Sequence, residues 1–137
     1  MIFEFLIGTG FLISGHVVTA NHVAPLVKGA NDVAVIAGEY DGEALVPVCR
    51  KIRKGEKLTV KGYPRIDDKP VYMEIRTKME RYTNYFQPSI EMKGYAIAGF
   101  SGAPVLDKDN KVVAVVTTDI GHERILATSW CDVKSSK

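Results

Sequence analysis

Apolar residues reach this chain in short bursts, and that pattern constrains its fold more than anything else in it. Runs rich in Val, Ile, Leu and Phe recur at 2–7, 10–14, 16–20, 33–37, 44–49, 57–62, 71–77, 94–98, 104–106, 112–118 and 124–129. Clusters of Gly, Asn and Asp, such as "GAND", "EYDGE" and "DKDNK", stand between them. Short runs bounded by turn residues read as strands, and about ten of them predict an all-β sandwich or barrel. One segment competes. "NHVAPLVKG" at 21–29 admits a helical turn or two ending at Gly29, with Pro25 tolerated only in its first turn.

Composition sets the class. With 137 residues, 46% hydrophobic and 25% charged, the chain predicts one globular domain. A net charge of +2 is too small to argue for nucleic acid or an anionic membrane as partner, so neither is expected. The start "MIFEFLIGTGFLISG" lacks a basic leader, is interrupted by Glu4, and is broken by the glycines of "GTG", so it is not read as a signal peptide. No stretch approaches the roughly 20 apolar residues of a membrane-spanning helix, and an intracellular, cytoplasmic location is expected. Cys49 and Cys131 are too few for a disulfide framework; a single bridge is open to them, but thiols in a reducing compartment are the expectation. No Cys/His spacing suits zinc, and no metal or cofactor is expected.

The polar, Pro-bounded "GYPRIDDKP" reads as a connection. It divides the domain into halves at 1–64 and 71–132, with a linker at 65–70 and a frayed tail at 133–137. The basic run "RKIRKGEK" at 50–57 is diluted by Glu56 and reads as a solvated strand connection. "ERYTNYFQP" at 80–88 gathers Tyr82, Tyr85 and Phe86, which would close a barrel end or shape a cleft.

"GFSGAP" at 99–104 holds Ser101 between glycines. Alone it is what a turn serine looks like. A serine hydroxyl becomes a nucleophile only beside a base, and histidine suits that role near neutral pH. "TANH" sets His22 at a strand-to-helix corner, and Asp32 leads the apolar strand of "NDVAVI". A buried aspartate fixes the imidazole tautomer and stabilises the imidazolium. Glycine at 99 lets the Gly99 and Ser101 amides turn into one pocket for an oxyanion, and Gly102 is expected to admit the substrate backbone. Singly, His22 and Asp32 are unremarkable helix-end and strand-start residues; His16 and His122 read as solvated turn residues.

Together these segments resemble the chymotrypsin-fold, trypsin-like serine proteases. "GTGFLISGHVVTANHV" resembles the family's first strands and Thr-Ala-x-His corner, and "NDVAVI" its Asp-led strand. "IRKGEKLTVKGYP" at 52–64 is similar to a segment of the HtrA-like branch, and "GFSGAPVLDKDNKVVAVVT" to the nucleophile loop and following strands. The matches run in the family's order over most of residues 7–119. Small size and Phe100 look most like the compact proteases of viral polyproteins.

The resemblance implies two packed antiparallel β-barrels, the first trimmed, because Asp32 follows His22 by only ten residues. It implies catalysis by His22, Asp32 and Ser101 through an acyl-enzyme, with the Gly99 and Ser101 amides as oxyanion hole. Asp41 in "EYDGE" remains a rival acid. Thr117, Thr118 and Asp119 would bind the substrate, a protein or polyprotein, as an extended strand. Tyr95 would floor the specificity pocket, where it offers no carboxylate for Lys or Arg. Phe100 replaces the Asp of digestive zymogens, so activation of that type is not expected. Val116 stands where some relatives carry a pocket histidine. The alternative is the same fold acting as a catalytically silent peptide-binding module. The α/β-hydrolase elbow is disfavoured by Ala103 and by triad order.

Overall fold

The structure, a computed structural model, describes residues 2–4, 8–14, 16–20, 33–37, 42–84, 88–95, 99–121 and 123–135. In chain order its strands are β1 (Ile2–Glu4), β2 (Thr9–Ile13), β3 (His16–Ala20), β4 (Val33–Ala37), β5 (Val46–Pro47), β6 (Lys57–Gly62), β7 (Arg65–Ile66) and β8 (Lys69–Pro70). There follow β9 (Met73–Asn84), β10 (Pro88–Lys93), β11 (Pro104–Leu106), β12 (Lys111–Gly121) and β13 (Arg124–Ser129), then a helix, α1 (Trp130–Ser135).

Strands β1 to β4 form an antiparallel sheet in sequence order. Six others close into a barrel: β11, β6, β9, β10, β13 and β12 pair in that order, and β12 pairs back to β11. β5 adds to β12 in parallel. Alternation explains the closure. β6 turns Leu58 and Val60 inward, where they meet Met79, Ile90, Met92 and Ile125. Each such side chain contributes about 1.5–3 kcal/mol when fully buried. A second cluster joins the two sheets: Phe11, Val18 and Val33 from the first meet Leu106, Val112 and Val115 from the barrel, and Trp130 and Val133 of α1 complete it.

The all-β expectation holds, and particulars differ. β6 was assigned to the first half, but it pairs with β9 and β11 and is a barrel strand. "GYPRIDDKP" is not a link between halves; it is the β7–β8 hairpin within the barrel's own chain path. Asp67 and Asp68 turn it with φ of 52° and 63°, as a two-residue hairpin with two positive φ values requires. β9 extends well past 77 and pairs with β10, which begins at Pro88; Glu80–Asn84 are thus strand rather than barrel-end loop. The tail expected to fray forms α1 as far as Ser135, started by the Cys131 N–H donating to Ser129 Oγ at 3.3 Å.

The expectation of free thiols is also corrected: Cys49 and Cys131 are joined in a disulfide. Beside it, Arg50 donates to Glu56, through Nη1 at 3.0 Å and through Nη2, and Nη2 also reaches Asp107 Oδ2 at 3.2 Å. The Arg50 hydrogen bond holds the Glu56 carboxyl below its ordinary range. Burial pushes Asp107 up, but the Lys111 and Asp109 amides and Arg50 together outweigh it and leave that carboxyl lowered. Disulfide and ion-pair cluster clamp the chain at 49–56 onto the barrel.

The disulfide closes a span of 82 residues. Cys131→Ser is expected to lower unfolding free energy by about 2–4 kcal/mol, through entropy returned to the unfolded chain. Urea midpoints with and without dithiothreitol measure it: the reductant should destabilise the parent and leave Cys131→Ser unmoved.

Candidate active site

The loop carrying Ser101 is shaped by two glycines in the left-handed region, Gly99 with φ of 108° and Gly102 with φ of 91°. L-residues with a Cβ rarely adopt either. Between them Phe100 turns inward and is buried in the barrel core, while Ser101 stays partly exposed. The chain recrosses at once: the Ala103 N–H donates to the Phe100 carbonyl at 2.9 Å. Among the described residues neither the Gly99 nor the Ser101 amide is spent in a hydrogen bond.

Thr9 holds this loop in place. Its N–H donates to the Ser101 carbonyl at 2.8 Å, and its Oγ1 donates to the Gly99 carbonyl at 2.7 Å. Thr9 Oγ1 also accepts from the Tyr63 N–H at 2.9 Å, and the Thr9 carbonyl accepts from Thr19 Oγ1 at 2.6 Å. Both threonines are wholly buried, so these bonds act without competition from water. The Gly99 and Ser101 carbonyls are thus both tied to β2.

Gly102 fits the loop against the first sheet. A Cβ there would overlap the Thr9 carbonyl oxygen and Thr19 Oγ1 and would stand 2.9 Å from the Ala20 nitrogen. The backbone that Gly102 admits is therefore that of β2 and β3, not the substrate's as expected. Gly99 is as constrained, since its Cβ would lie 2.7 Å from the Tyr63 carbonyl oxygen and 2.8 Å from Pro64 Cα. Gly62 lets Phe100 lie close, 2.9 Å from where its own Cβ would be.

Strand β12 passes beside the serine. The Gly102 N–H donates to the Val116 carbonyl at 2.7 Å, and the Val116 N–H donates to the Ala103 carbonyl at 2.9 Å. Beyond these bonds no described strand pairs with residues 117–121 on that side. Thr117 is the extra residue of a bulge, because β13 pairs Ala127 with Val116 and Leu126 with Thr118. A bulge re-aims the groups around it. Here the Thr117 carbonyl accepts from Ser101 Oγ at 3.3 Å, while its own hydroxyl donates to the Leu126 carbonyl and is buried.

The expected site residues fall into three groups. Gly99 and Ser101 share one loop, and Ser101 Oγ meets the Thr117 carbonyl of β12. His22, Asp32, the rival Asp41 and His122 lie outside the described residues. Tyr95 is 70% exposed, which places it on the surface rather than on a pocket floor. The side chains of Thr118 and Asp119 likewise lie outside what is described, although their strand is not. His16, read as solvated, is half-buried, with Nδ1 donating to the Ser14 carbonyl at 2.9 Å. Thr9 and Thr19 were missed by sequence reasoning. The available signal was a threonine between the glycines of "GTG", a polar residue with no turn to serve.

No family model matches the chain, and no curated protein matches it. Solved structures do. The Rv3671c protease from M. tuberculosis in its active form superposes with a TM-score of 0.81 at 19% identity, covering 98% of this chain and 77% of that one. Its inactive form gives 0.81 at 20% identity, covering 98% and 84%. The HtrA-type protease AlgW with decapeptide gives 0.81 at 14% identity over 93% of this chain; 49% of that chain is covered, so this one spans about half its length. The fold is thus the all-β, chymotrypsin-like fold of HtrA-type serine proteases. At 14–20% identity these likenesses speak for the fold alone.

Proposed function

We propose that the chain is a serine endopeptidase with Ser101 as nucleophile, His22 as general base and Asp32 as the group that orients it. The carrying observation is the seat of the Ser101 loop on β3. Gly102 packs on the Ala20 nitrogen, and Ala20 lies two positions before His22. The same register pairs Ala20 with Val33, which directly follows Asp32. Both ends of the 21–32 segment therefore start from the strand pair that abuts the serine loop.

On this reading a peptide lies along the edge of β12 at 117–121, where no described strand pairs, its backbone hydrogen-bonded as an added strand. Ser101 Oγ leaves the Thr117 carbonyl, gives its proton to His22 and attacks the scissile carbonyl carbon. The carbonyl oxygen takes the negative charge and receives hydrogen bonds from the Gly99 and Ser101 amides, each worth about 3 kcal/mol in comparable sites. His22 returns the proton to the leaving nitrogen as the C–N bond breaks. Water then gives its proton to His22 and attacks the ester carbon, and His22 passes that proton to Ser101 Oγ as the C–O bond breaks, releasing the acid and restoring Ser101. That β12 edge alone would also serve a silent peptide-binding module.

A fluorophosphonate probe separates the two. Labelling at Ser101, located by mass spectrometry and lost in His22→Ala, is expected. A folded sample that stays unlabelled from neutral to mildly alkaline pH, yet binds extended peptides, is the binding module instead.

A further inference from the structure

The net charge of +2 conceals a strong separation of charge. Two open grooves, of about 650 Å³ and about 850 Å³, adjoin on the barrel and share Lys57, Asp107 and Lys108. Nine of the chain's 18 lysines and arginines line them, against three of its 16 acids, so the remainder of the chain is net negative. Two of those three acids, Glu56 and Asp107, are already paired with Arg50. The other eight cations are exposed, and among the described residues none of them makes an ion pair.

Their arrangement is regular. Lys57 of β6 stands directly opposite Lys78 of β9, and Lys78 stands opposite Lys93 of β10. Three lysines thus form a row across adjacent strands spaced about 4.8 Å apart. Like charges directly opposite on one sheet face destabilise it. Arg76 lies on the same face, two residues along β9, and Lys108 flanks the row from the β11–β12 turn. Lys51, Arg53 and Lys54, from the basic run of the sequence, extend the charge into the second groove.

We propose that this face binds the phosphate backbone of double-stranded nucleic acid, without reading its sequence. The cations form an extended band across both grooves, which suits a rod-like polyanion laid over them. A membrane-binding face would also set apolar side chains among its cations, and none of the exposed large hydrophobic residues lines either groove. Single strands are gripped by stacking on aromatic rings, and no aromatic side chain lines either groove. What remains is charge at repeating intervals, which suits a phosphate backbone. The face is separate from the candidate active site. Lys57 and Gly62 are the two ends of β6, about 17 Å apart at strand rise, and it is Gly62 that meets Phe100. The proposal therefore stands whether or not Ser101 is catalytic.

Fluorescence anisotropy with a labelled 20-base-pair duplex of arbitrary sequence tests it on the whole chain. Affinity should fall about 100-fold from 50 to 200 mM salt if about four phosphates are neutralised. K57Q/K78Q/K93Q should lower the salt slope by about 3 and bind correspondingly more weakly. Its melting temperature should equal or exceed the parent's, because the like-charge row is gone, and K57R/K78R/K93R should keep both slope and affinity. A parent that binds no duplex at 50 mM salt overturns the proposal, as does a glutamine variant that binds like the parent. Tighter binding to a single strand, or to vesicles containing phosphatidylserine, overturns it in favour of that partner.

Discussion

Gly102→Ala is expected to lower the unfolding free energy by about 4 kcal/mol or more, at the far end of what single substitutions do. Two effects combine. The left-handed backbone at φ 91° costs an alanine about 1–2 kcal/mol. The new methyl then overlaps the Thr9 carbonyl and Thr19 Oγ1, and both are fixed by the hydrogen bonds that join β2, β3 and the serine loop. Neither can yield without opening that junction, so fluorophosphonate labelling should vanish with the stability. Gly55→Ala isolates the first effect. Gly55 has φ of 84° but nothing within 4 Å of its would-be Cβ, so its loss should stay near the backbone cost alone. Urea denaturation of the two variants gives the comparison, and equal losses would refute the packing role assigned to Gly102.

The same junction shows what the amino-acid sequence does and does not disclose. Strands β3, β4, β6, β11 and β13 coincide with the apolar runs at 16–20, 33–37, 57–62, 104–106 and 124–129. Their apolar residues serve the two cores directly, and burial is what hydrophobic patterning reports. β9 is legible only in part: the run at 71–77 covers its start, but beyond it Lys78, Glu80 and Arg81 dilute the apolar signal, and pairing with β10 reveals that the strand continues to Asn84. The disulfide is further from reach, because Cys49 and Cys131 meet only after β12, β13 and α1 have brought the chain back to the connector. Charge behaves likewise. A near-neutral total argued against a polyanion partner, whereas the lysine row exists only through cross-strand register. In the candidate site, the glycines around Ser101 were legible as a turn that needs them. The partner that holds the turn, Thr9, is 90 residues away from the Gly99 carbonyl it binds. Phe100, informative at first for what it replaces, proves to be a core residue that anchors the loop to Gly62.

Under the proposed mechanism, Asp32→Asn should lower kcat about 10⁴-fold while Asp41→Asn leaves it within a few-fold of the parent. An asparagine in the orienting position favours the wrong imidazole tautomer and cannot stabilise imidazolium, and losses near 10⁴ follow in enzymes of this type. Register favours Asp32 over Asp41 under this proposal. In the β3–β4 pair, Ala20 faces Val33 and His16 faces Ala37. Asp32 adjoins the end of β4 that lies beside Ala20 and the serine loop. Asp41 comes four residues after Ala37, which ends the strand about 13 Å from Val33 at 3.3 Å per residue. Ser101→Ala and His22→Ala should each cost as much as the two together, since a base without a nucleophile accomplishes nothing. Steady-state cleavage of a peptide identified from a random-peptide library, with KM and kcat measured separately, checks all four single variants and the Ser101→Ala/His22→Ala double. The losses should fall on kcat, because the β12 edge proposed to bind the peptide backbone is untouched. If Asp41→Asn is the damaging substitution, the chain between Ala37 and Asp41 must return along β4, and the acid assigned to the triad is the wrong one.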